Sequence, residues 1–337
     1  MDHDQLGERD SQGLRLTLVV GVAMGGIVVT LMMAIAERHW LADLLVQLRV
    51  QCAIGLGAVA ILLVLLKSWR WLGVCLIALL INLIPIWPYY LDSHVGSPRS
   101  SQATSSTSRP LRLRILSLNI LTKNHRYGQV LDLIEAEAAD FVVLLEVDAS
   151  WETVLQPLSD LYPYMRFESR QDNFGIALLS KHAWSSLEVF HSEELQLPSI
   201  DAQFDALEGF PPLGQPLRII GTHPIPPLGR ASTEARNGQL LRVAKRFGGE
   251  TDNLMVGDFN LTPWSPVFDA VLSAGQLNDT GMGFGVRPTW YVFPTWAGGL
   301  KIDHILSSQN IAAVNYRVGP DVGSDHRAVI LDFRISN

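Results

Sequence analysis

The sequence predicts an α/β (α+β) domain, two sheets packed face to face with helices outside, preceded by three transmembrane helices. Three observations lead there. Residues 14–91 are almost entirely apolar, whereas the chain after about Arg112 has the mixed composition of a soluble protein. That later part also reads as many short strands and few helices. Such a ratio fits two packed sheets better than a purely parallel, doubly wound sheet.

The apolar block contains three runs, Leu14–Ala36, Val50–Leu66 and Trp71–Leu91. Each is near the ~20 residues a helix needs to cross the hydrocarbon core. The middle run is at the short end, so Arg49 and Lys67 would have to snorkel to the headgroups. A buried helical hairpin or a signal peptide is the alternative. Three long, nearly charge-free runs in succession argue against the hairpin. The first run is too long for a signal, and Ala34-Ile35-Ala36 leads into Glu37-Arg38-His39-Trp40 rather than a clean cleavage site. Trp40, Trp69, Trp71, Trp87, Tyr89 and Tyr90 cluster at the ends of the runs, as interfacial belts do.

Short-flank charge sets the orientation. Lys67-Ser68-Trp69-Arg70 is basic with no acid, and Arg9 and Arg15 place the tail, residues 1–13, on the same cytoplasmic side. Three crossings then leave the C-terminal domain outside. The expectation is a multi-pass protein of the cell membrane, with the bilayer as a partner and the C-terminal domain exocytoplasmic.

Residues 92–111 form a Ser/Thr-rich, weakly basic linker without hydrophobic periodicity. Residues 112–337 follow as strands and helices in alternation. Leu111–Leu118 alternates as a strand, Gly128–Ala139 has helical spacing, Phe141–Leu145 is a buried strand and Ser150–Leu161 a helix. Gly175–Leu179, Trp184–Val189, Ile200–Ala206 and Leu217–Thr222 read as strands, then Thr233–Phe247 as an amphipathic helix. Asn253–Val256 is a strand and Ser265–Ala274 a short helix; Ile302–Ser307, Ala312–Arg317 and Ala328–Ile335 close the domain as strands.

Cys52 and Cys75 both lie in the predicted spans, so the C-terminal domain is cysteine-free, which fits an oxidising exterior without requiring one. From Arg112 onward, 18 Lys and Arg face 26 Asp and Glu, a formal balance of −8. A domain that grips a long polyanion shows a basic stripe. Here the tightest cluster, Arg242, Lys245 and Arg246, reads as a solvated helix face. Nucleic acid is therefore disfavoured as a substrate.

Polar residues stand at the ends of the apolar runs RILSLN, FVVLLE, LRIIGTH, NLMVGDFN, LKIDHIL and GSDHRAVI. Glu146 ends one such run, where an unpaired carboxylate is costly to bury; it is either solvated at the rim or bound to a cation. Asn119 supplies a second oxygen of the kind Mg2+ accepts. Gly257-Asp258-Phe259-Asn260 places a carboxylate and an amide two residues apart after a glycine turn. One can take a proton from water while the other orients it, or the segment is only an Asx-turn. Asp325 and His326 pair an acidic ligand with an imidazole, and Asp303 could orient and polarise His326 so that it stabilises phosphoryl charge. His304, on the opposite strand face, reads as structural.

His223 sits before a Pro-rich stretch that fixes its direction, with Arg230 and Arg236 nearby as candidate phosphate clamps or plain surface charges. Trp290 and Trp296 make an aromatic loop before Asp303, either a wall for an apolar or planar group or a satellite hydrophobic cluster.

Together these motifs resemble the endonuclease/exonuclease/phosphatase superfamily, over roughly Arg112 to Asn337. The resemblance implies a four-layer α/β/β/α sandwich and a Mg2+-dependent phosphohydrolase, with Mn2+ as an alternative ion. It makes Glu146 the principal metal ligand beside Asn119 and Asp325. It makes Asp258 the residue that activates water, Asn260 its positioning partner, His326 a phosphate contact oriented by Asp303, and His223 an aid at the scissile group. Leu145 departs from the pattern, since many members carry Gln before the metal-binding Glu. The three-span start, the Thr-His-Pro-x-Pro-Pro loop and Arg236-Asn237-x-Gln239-Leu240 are similar to a membrane-tethered bacterial subgroup, some linked with cell-envelope and glycopeptide-resistance functions.

The expected activity is hydrolysis of a phosphoester or pyrophosphate in a lipid-linked or cell-envelope substrate. A membrane-anchored nuclease acting on DNA or RNA is the alternative, and a non-catalytic scaffold a third. Retention of Glu146, Asp258 and His326 argues against the scaffold.

Overall fold

In the computed structural model, which describes residues 3–91, 112–291 and 298–335, the chain divides into two compact units. One runs to Pro88 and includes Trp264–Pro266; the other takes the rest from Tyr89 onward. The expected linker at 92–111 lies outside the described residues.

The first unit is helical: α1 (His3–Met33), α2 (Trp40–Val46), α3 (Arg49–Leu65) and α4 (Trp69–Ile86), and the 3-10 turn Trp87–Tyr90 that follows carries the chain into the second unit at Tyr89. Gly13–Met33 and Trp69–Tyr90 are long and apolar enough to cross a membrane. The expected middle span, Val50–Leu66, falls on a bent helix pair that makes a third span if the pair crosses as one. Helix α3 has only 17 residues, and α2 meets it at 64°, so this segment is a broken span or a re-entrant loop. The reason is local: His39 caps a separate short helix by accepting from the Leu41 N–H, 3.2 Å away. Inside the unit, Gly26 leaves room for Leu56, whose side chain lies 2.8 Å from where a Cβ would stand. The Asn82 amide donates to Thr30 Oγ1 (2.8 Å) and Ala78 O (2.9 Å), a bond between α4 and α1 of the kind that holds helices together in an apolar medium.

The second unit opens with β1 (Arg112–Asn119), α5 (Tyr127–Glu137), β2 (Phe141–Leu145) and α6 (Ala149–Leu155). Strands β3 (Tyr164–Glu168), β4 (Ile176–Ser180), β5 (Ser186–His191), β6 (Pro198–Phe204) and β7 (Leu217–Thr222) follow. Then come α7 (Arg230–Lys245), β8 (Asp252–Asp258), α8 (Pro266–Gly275) and β9 (Asn278–Asp279). The short strands β10 (Trp290–Tyr291) and β11 (Gly299–Leu300) pair as a ribbon, before β12 (Asp303–Ser307), β13 (Ile311–Val318) and β14 (Val329–Ile335).

Two six-stranded sheets result, ordered β13-β14-β1-β2-β4-β3 and β5-β6-β7-β8-β12-β9. Each has one parallel pair, β1/β2 and β7/β8, among antiparallel neighbours. Their facing sides share a core containing Ile115, Val143 and Leu178 from one sheet and Ile219, Val256 and Ile305 from the other. The opposite face of the first sheet packs Leu116, Val142 and Leu144 on Val130, Ile134, Trp151 and Leu155 of α5 and α6. The second sheet packs Ile220, Met255 and Leu306 on Leu240, Val243, Phe268 and Val271 of α7 and α8. This is the four-layer α/β/β/α sandwich. Strands buried on both faces read as unbroken apolar runs, as FVVLL does.

Two expectations shift. The helix expected over Ser150–Leu161 ends at Leu155 and continues as a 3-10 turn, Gln156–Asp160, because Pro157 has no N–H for the helical ladder. Strand β3, not anticipated, is a half-buried edge of alternating Tyr, Arg and Glu whose weak apolar signal hides it.

Away from the strand ends, Asp332 on β14 ties three strands. It accepts from Arg114 Nε on β1 (2.6 Å), Arg112 Nη2 (3.3 Å) and Asn315 Nδ2 on β13 (3.4 Å). Burial opposes its charge, but the hydrogen bond and charge of Arg114, with Asn315 and Arg112, hold its pKa below the usual carboxylate range. A depressed carboxylate stabilises the fold above its unfolded pKa of about 3.9 and loses that stabilisation as pH falls through the folded value. Asp332→Asn should therefore lower stability by about 1–2 kcal/mol at neutral pH. In urea melts the gap from wild type should close as pH falls below about 4; a gap constant with pH would refute this account.

Candidate active site

Parallel strands end on the same edge of a sheet, and this brings the polar residues together. In the first sheet Asn119 pairs in register with Leu145, so Asn119 and Glu146 stand side by side. In the second sheet Gly221 pairs with Val256, which sets Thr222-His223 beside Gly257-Asp258. Asp303, at the start of β12, lies opposite Asp258.

Gly257 is what lets β7 and β8 close on each other here. Its φ is +149°, and a Cβ would stand 1.9 Å from the Thr222 carbonyl oxygen. Gly175 plays the same part in the first sheet, where a Cβ would meet Val147 O at 1.8 Å.

The side chains then converge. Asn119 Nδ2 donates to Glu146 Oε1 (2.9 Å) and reaches Asp258 Oδ2 at 3.3 Å, while its Oδ1 accepts from the Leu121 N–H. His223 Nε2 lies 3.4 Å and His326 Nε2 3.6 Å from Asp258 Oδ2. His326 Nδ1 stands 2.9 Å from Asp303 Oδ2, and Thr289 Oγ1 accepts the Asp303 N–H. Asn260 acts by two bonds: its N–H donates to Asp258 Oδ1 (2.9 Å) and its Nδ2 to Pro224 O (3.0 Å). Six of the residues singled out in sequence, Asn119, Glu146, His223, Asp258, Asp303 and His326, thus form one cluster.

The charges are tuned by neighbours. Burial alone would push the Asp258 pKa up, but the charge of His326, the hydrogen bond and charge of His223 and the Asn260 N–H hold it well below the carboxylate range. Burial disfavours the charged form of His326, yet Asp303 and Asp258 outweigh it and raise its pKa far above the ordinary imidazole value. For Asp303 burial raises the pKa, His326 lowers it and Asp258 raises it again, for a net upward shift. The result is an imidazolium between two carboxylates.

The donor set suits a hard divalent cation. It is rich in oxygen and contains no thiolate: Asn119 stands within hydrogen-bond reach of both the Glu146 and Asp258 carboxylates, and Asp303 lies in the same group of carboxylates. Two buried atoms, Asp303 Oδ1 and His223 Nδ1, have no hydrogen-bond partner among the described residues, as expected where a ligand completes the site.

Residues 116–326 match the model of the endonuclease/exonuclease/phosphatase family. The chain belongs to this family. Its members are metal-dependent hydrolases acting on phosphoester bonds. No curated protein matches the chain. Among solved structures, an endonuclease/exonuclease/phosphatase from Beutenbergia cavernae is 20% identical, with 68% of this chain and 72% of that one covered and a TM-score of 0.56. Humanized D. rerio TDP2 is also 20% identical, over 66% of this chain and 99% of that one, with a TM-score of 0.53. A 3′ phosphatase, NExo, from Neisseria bound to a product DNA hairpin gives 20%, 66%, 99% and 0.52. At this identity they share the fold.

Other expected residues behave differently within the family frame. Asp325 is exposed, and its Oδ2 accepts the Trp290 indole N–H at 2.9 Å, so Trp290 orients a carboxylate beside the site. Trp296 lies outside the described residues. Arg236 is not a surface clamp: it is fully buried, donates to Asn260 O (2.9 Å) and grips Asn237 Oδ1, and so braces the loop after Asp258. Arg230 is exposed and pairs with Glu234 one helical turn on. Sequence reading missed Thr122, whose N–H donates to Glu146 Oε2 (3.1 Å) and whose hydroxyl donates to Glu146 O (3.0 Å). It also missed Phe174, whose ring centroid is 5.2 Å from that of His223. Neither stands at the end of an apolar strand, the signal that revealed the others.

The Gly257 contact yields a test. Gly257→Ala should cost about 3 kcal/mol or more, since the added methyl group must move backbone rather than a side-chain tip. Thermal melting would check this, and a melting temperature within a degree or two of wild type would disprove the close approach.

Proposed function

We propose that the chain is a membrane-anchored, Mg2+-dependent phosphohydrolase that cleaves a phosphoester or pyrophosphate bond of a lipid-linked substrate. One observation carries the reading: candidate membrane spans and a phosphoester-hydrolase domain occur in one chain. The acidic balance of that domain, −8 from Arg112 onward, adds support, because it suits a polyanion poorly.

Glu146, with Asn119 and Asp325, would hold the cation. Bound there, it would neutralise phosphoryl oxygens as charge builds. The chain's own residues do the rest. Asp258, kept ionised, takes a proton from the water whose oxygen attacks phosphorus. Asn260 fixes the direction of Asp258 through its N–H. His326, held protonated by Asp303, donates to a phosphoryl oxygen, and His223 donates on the scissile side. The leaving oxygen departs with the bonding pair. Trp290 and Phe174 flank this space as walls for an apolar group.

The nuclease reading keeps one specific support. TDP2 and NExo, which share the fold, appear with DNA products. A hydrolysis panel with Mg2+ or with chelator separates the two: polyprenyl and phospholipid phosphates, sugar phosphates, plasmid DNA and RNA. We expect chelator-sensitive turnover of a lipid phosphate, cut by about 1,000-fold or more in Asp258→Ala and His326→Ala. Strong DNA cleavage lost in both variants, with no lipid turnover, would overturn the preferred reading.

Sidedness depends on whether the bent α2–α3 segment crosses. We propose that it does, giving three crossings and an exocytoplasmic catalytic domain. A reporter fused after Asn337 that is active only in the cytoplasm would refute this.

A further inference from the structure

Behind the site lies a second polar cluster that the hydrolytic mechanism does not use. Lys301 is buried, with Nζ 3.2 and 3.3 Å from the two carboxylate oxygens of Asp279 and 3.0 Å from His304 Nδ1. His304 Nε2 lies 2.8 Å from the Leu261 carbonyl oxygen. A carbonyl can only accept, so Nε2 carries the proton, Nδ1 offers its lone pair, and Lys301 donates to it. The chain of donors therefore has one direction, from Lys301 through His304 to the peptide that follows Asn260.

The other end is Tyr89. Its hydroxyl donates to Asp279 Oδ2 at 2.5 Å, its carbonyl accepts the Gly285 N–H at 2.7 Å, and Lys301 Nζ is 5.7 Å from its ring centroid. Tyr89 is 4% exposed, although more than twenty residues separate it from β1. Asp279 also takes the Gly281 N–H, so Tyr89 supplies one of a small set of donors that fix how it faces Lys301.

We propose that Tyr89, Asp279, Lys301 and His304 are positioning residues, a buried strut that sets the Asp258–Leu261 turn from its far side. The catalytic unit on this view includes a residue that precedes the Ser/Thr segment. Loss of the Tyr89 hydroxyl lets Asp279 and Lys301 shift, His304 loses its fixed direction, and the loop carrying Asp258 and Asn260 loosens. This rests on that turn belonging to a hydrolytic site, but the strut itself is read without activity.

The test uses the full-length protein in detergent micelles, with bis(4-nitrophenyl) phosphate and Mg2+ as the probe reaction. Tyr89→Phe removes only the hydroxyl. We expect kcat to fall about three- to tenfold at unchanged KM, with faster amide exchange in peptides spanning Gly257–Thr262. His304→Gln can still donate to Leu261 and accept from Lys301, and should stay within about twofold of wild type, whereas His304→Phe keeps the packing against Phe259 and Phe268 and should match Tyr89→Phe. Unchanged exchange over Gly257–Thr262 in Tyr89→Phe, or equal behaviour of the Gln and Phe variants at position 304, would overturn the proposal. If wild type does not turn over the probe, the hydrolytic reading fails on this substrate while the exchange comparison still decides the strut.

Discussion

A carboxylate sealed from water stays charged only if the groups around it replace the water, and Asp258 is such a carboxylate, at 1% exposure. Its replacements come from separate parts of the fold: Asn119 at the end of β1, His223 after β7, His326 before β14 and the Asn260 N–H in its own turn. Two of these belong to one sheet and two to the other. The sheets must therefore meet at the edge where their parallel pairs end. Within each sheet Gly257 and Gly175 admit a neighbouring segment's carbonyl oxygen where any Cβ would collide, and Asn119 makes the bond from one sheet to Asp258 of the other. The constraint runs from one buried charge to strand order, and from there to which positions in the chain must lack a side chain.

Much of this was legible in the sequence because strand ends are. An apolar run that stops at Asn119, Glu146, His223 or Asp258 announces both a buried strand and a polar group at its rim, so the same pattern reports fold and site. Where a residue works from outside that pattern, the sequence is silent. Thr122 holds Glu146 from a turn, and nothing in its spacing sets it apart from any threonine in a loop. Arginine misleads for the opposite reason. Arg236 looks like a phosphate clamp, but its guanidinium is spent on a carbonyl and an amide, and only packing reveals that. In the membrane part, hydropathy reports apolar length and cannot show the bend between α2 and α3 that leaves 17 residues in the second helix of that pair.

These reassignments bear on how the site would hold its substrate. With Arg236 buried and Arg230 paired to Glu234, neither arginine is a free phosphate clamp, and the positive charge set within the cluster is that of His326. An imidazolium set between Asp258 and Asp303 is a fixed donor with little freedom to follow a long, mobile polyanion. It suits one phosphoryl group presented in one orientation. Walls such as Phe174 and Trp290 add apolar surface rather than charge. On the proposed reading this suits a single phosphate attached to something apolar, in keeping with the acidic balance of the domain and with helices long and apolar enough to cross a membrane.

The backbone is strained at three positions around this cluster. Leu121 (φ +60°), Glu146 (φ +63°) and Asn260 (φ +50°) all adopt the left-handed conformation, which costs a non-glycine residue about 1–3 kcal/mol at such positions. Each is pinned by a hydrogen bond: the Leu121 N–H to the Asn119 side-chain oxygen, the Glu146 carbonyl to the Thr122 hydroxyl, and Asn260 to the Pro224 carbonyl and the Arg236 guanidinium. Strain of this kind persists only when several independent contacts enforce it. The braces behind the loop after Asp258, Arg236 on one side and the His304 strut on the other, meet that requirement at Asn260 and Leu261. Support from two directions, Arg236 on the Asn260 carbonyl and His304 on that of Leu261, is how buried polar groups outside the cluster can fix the turn that carries Asp258.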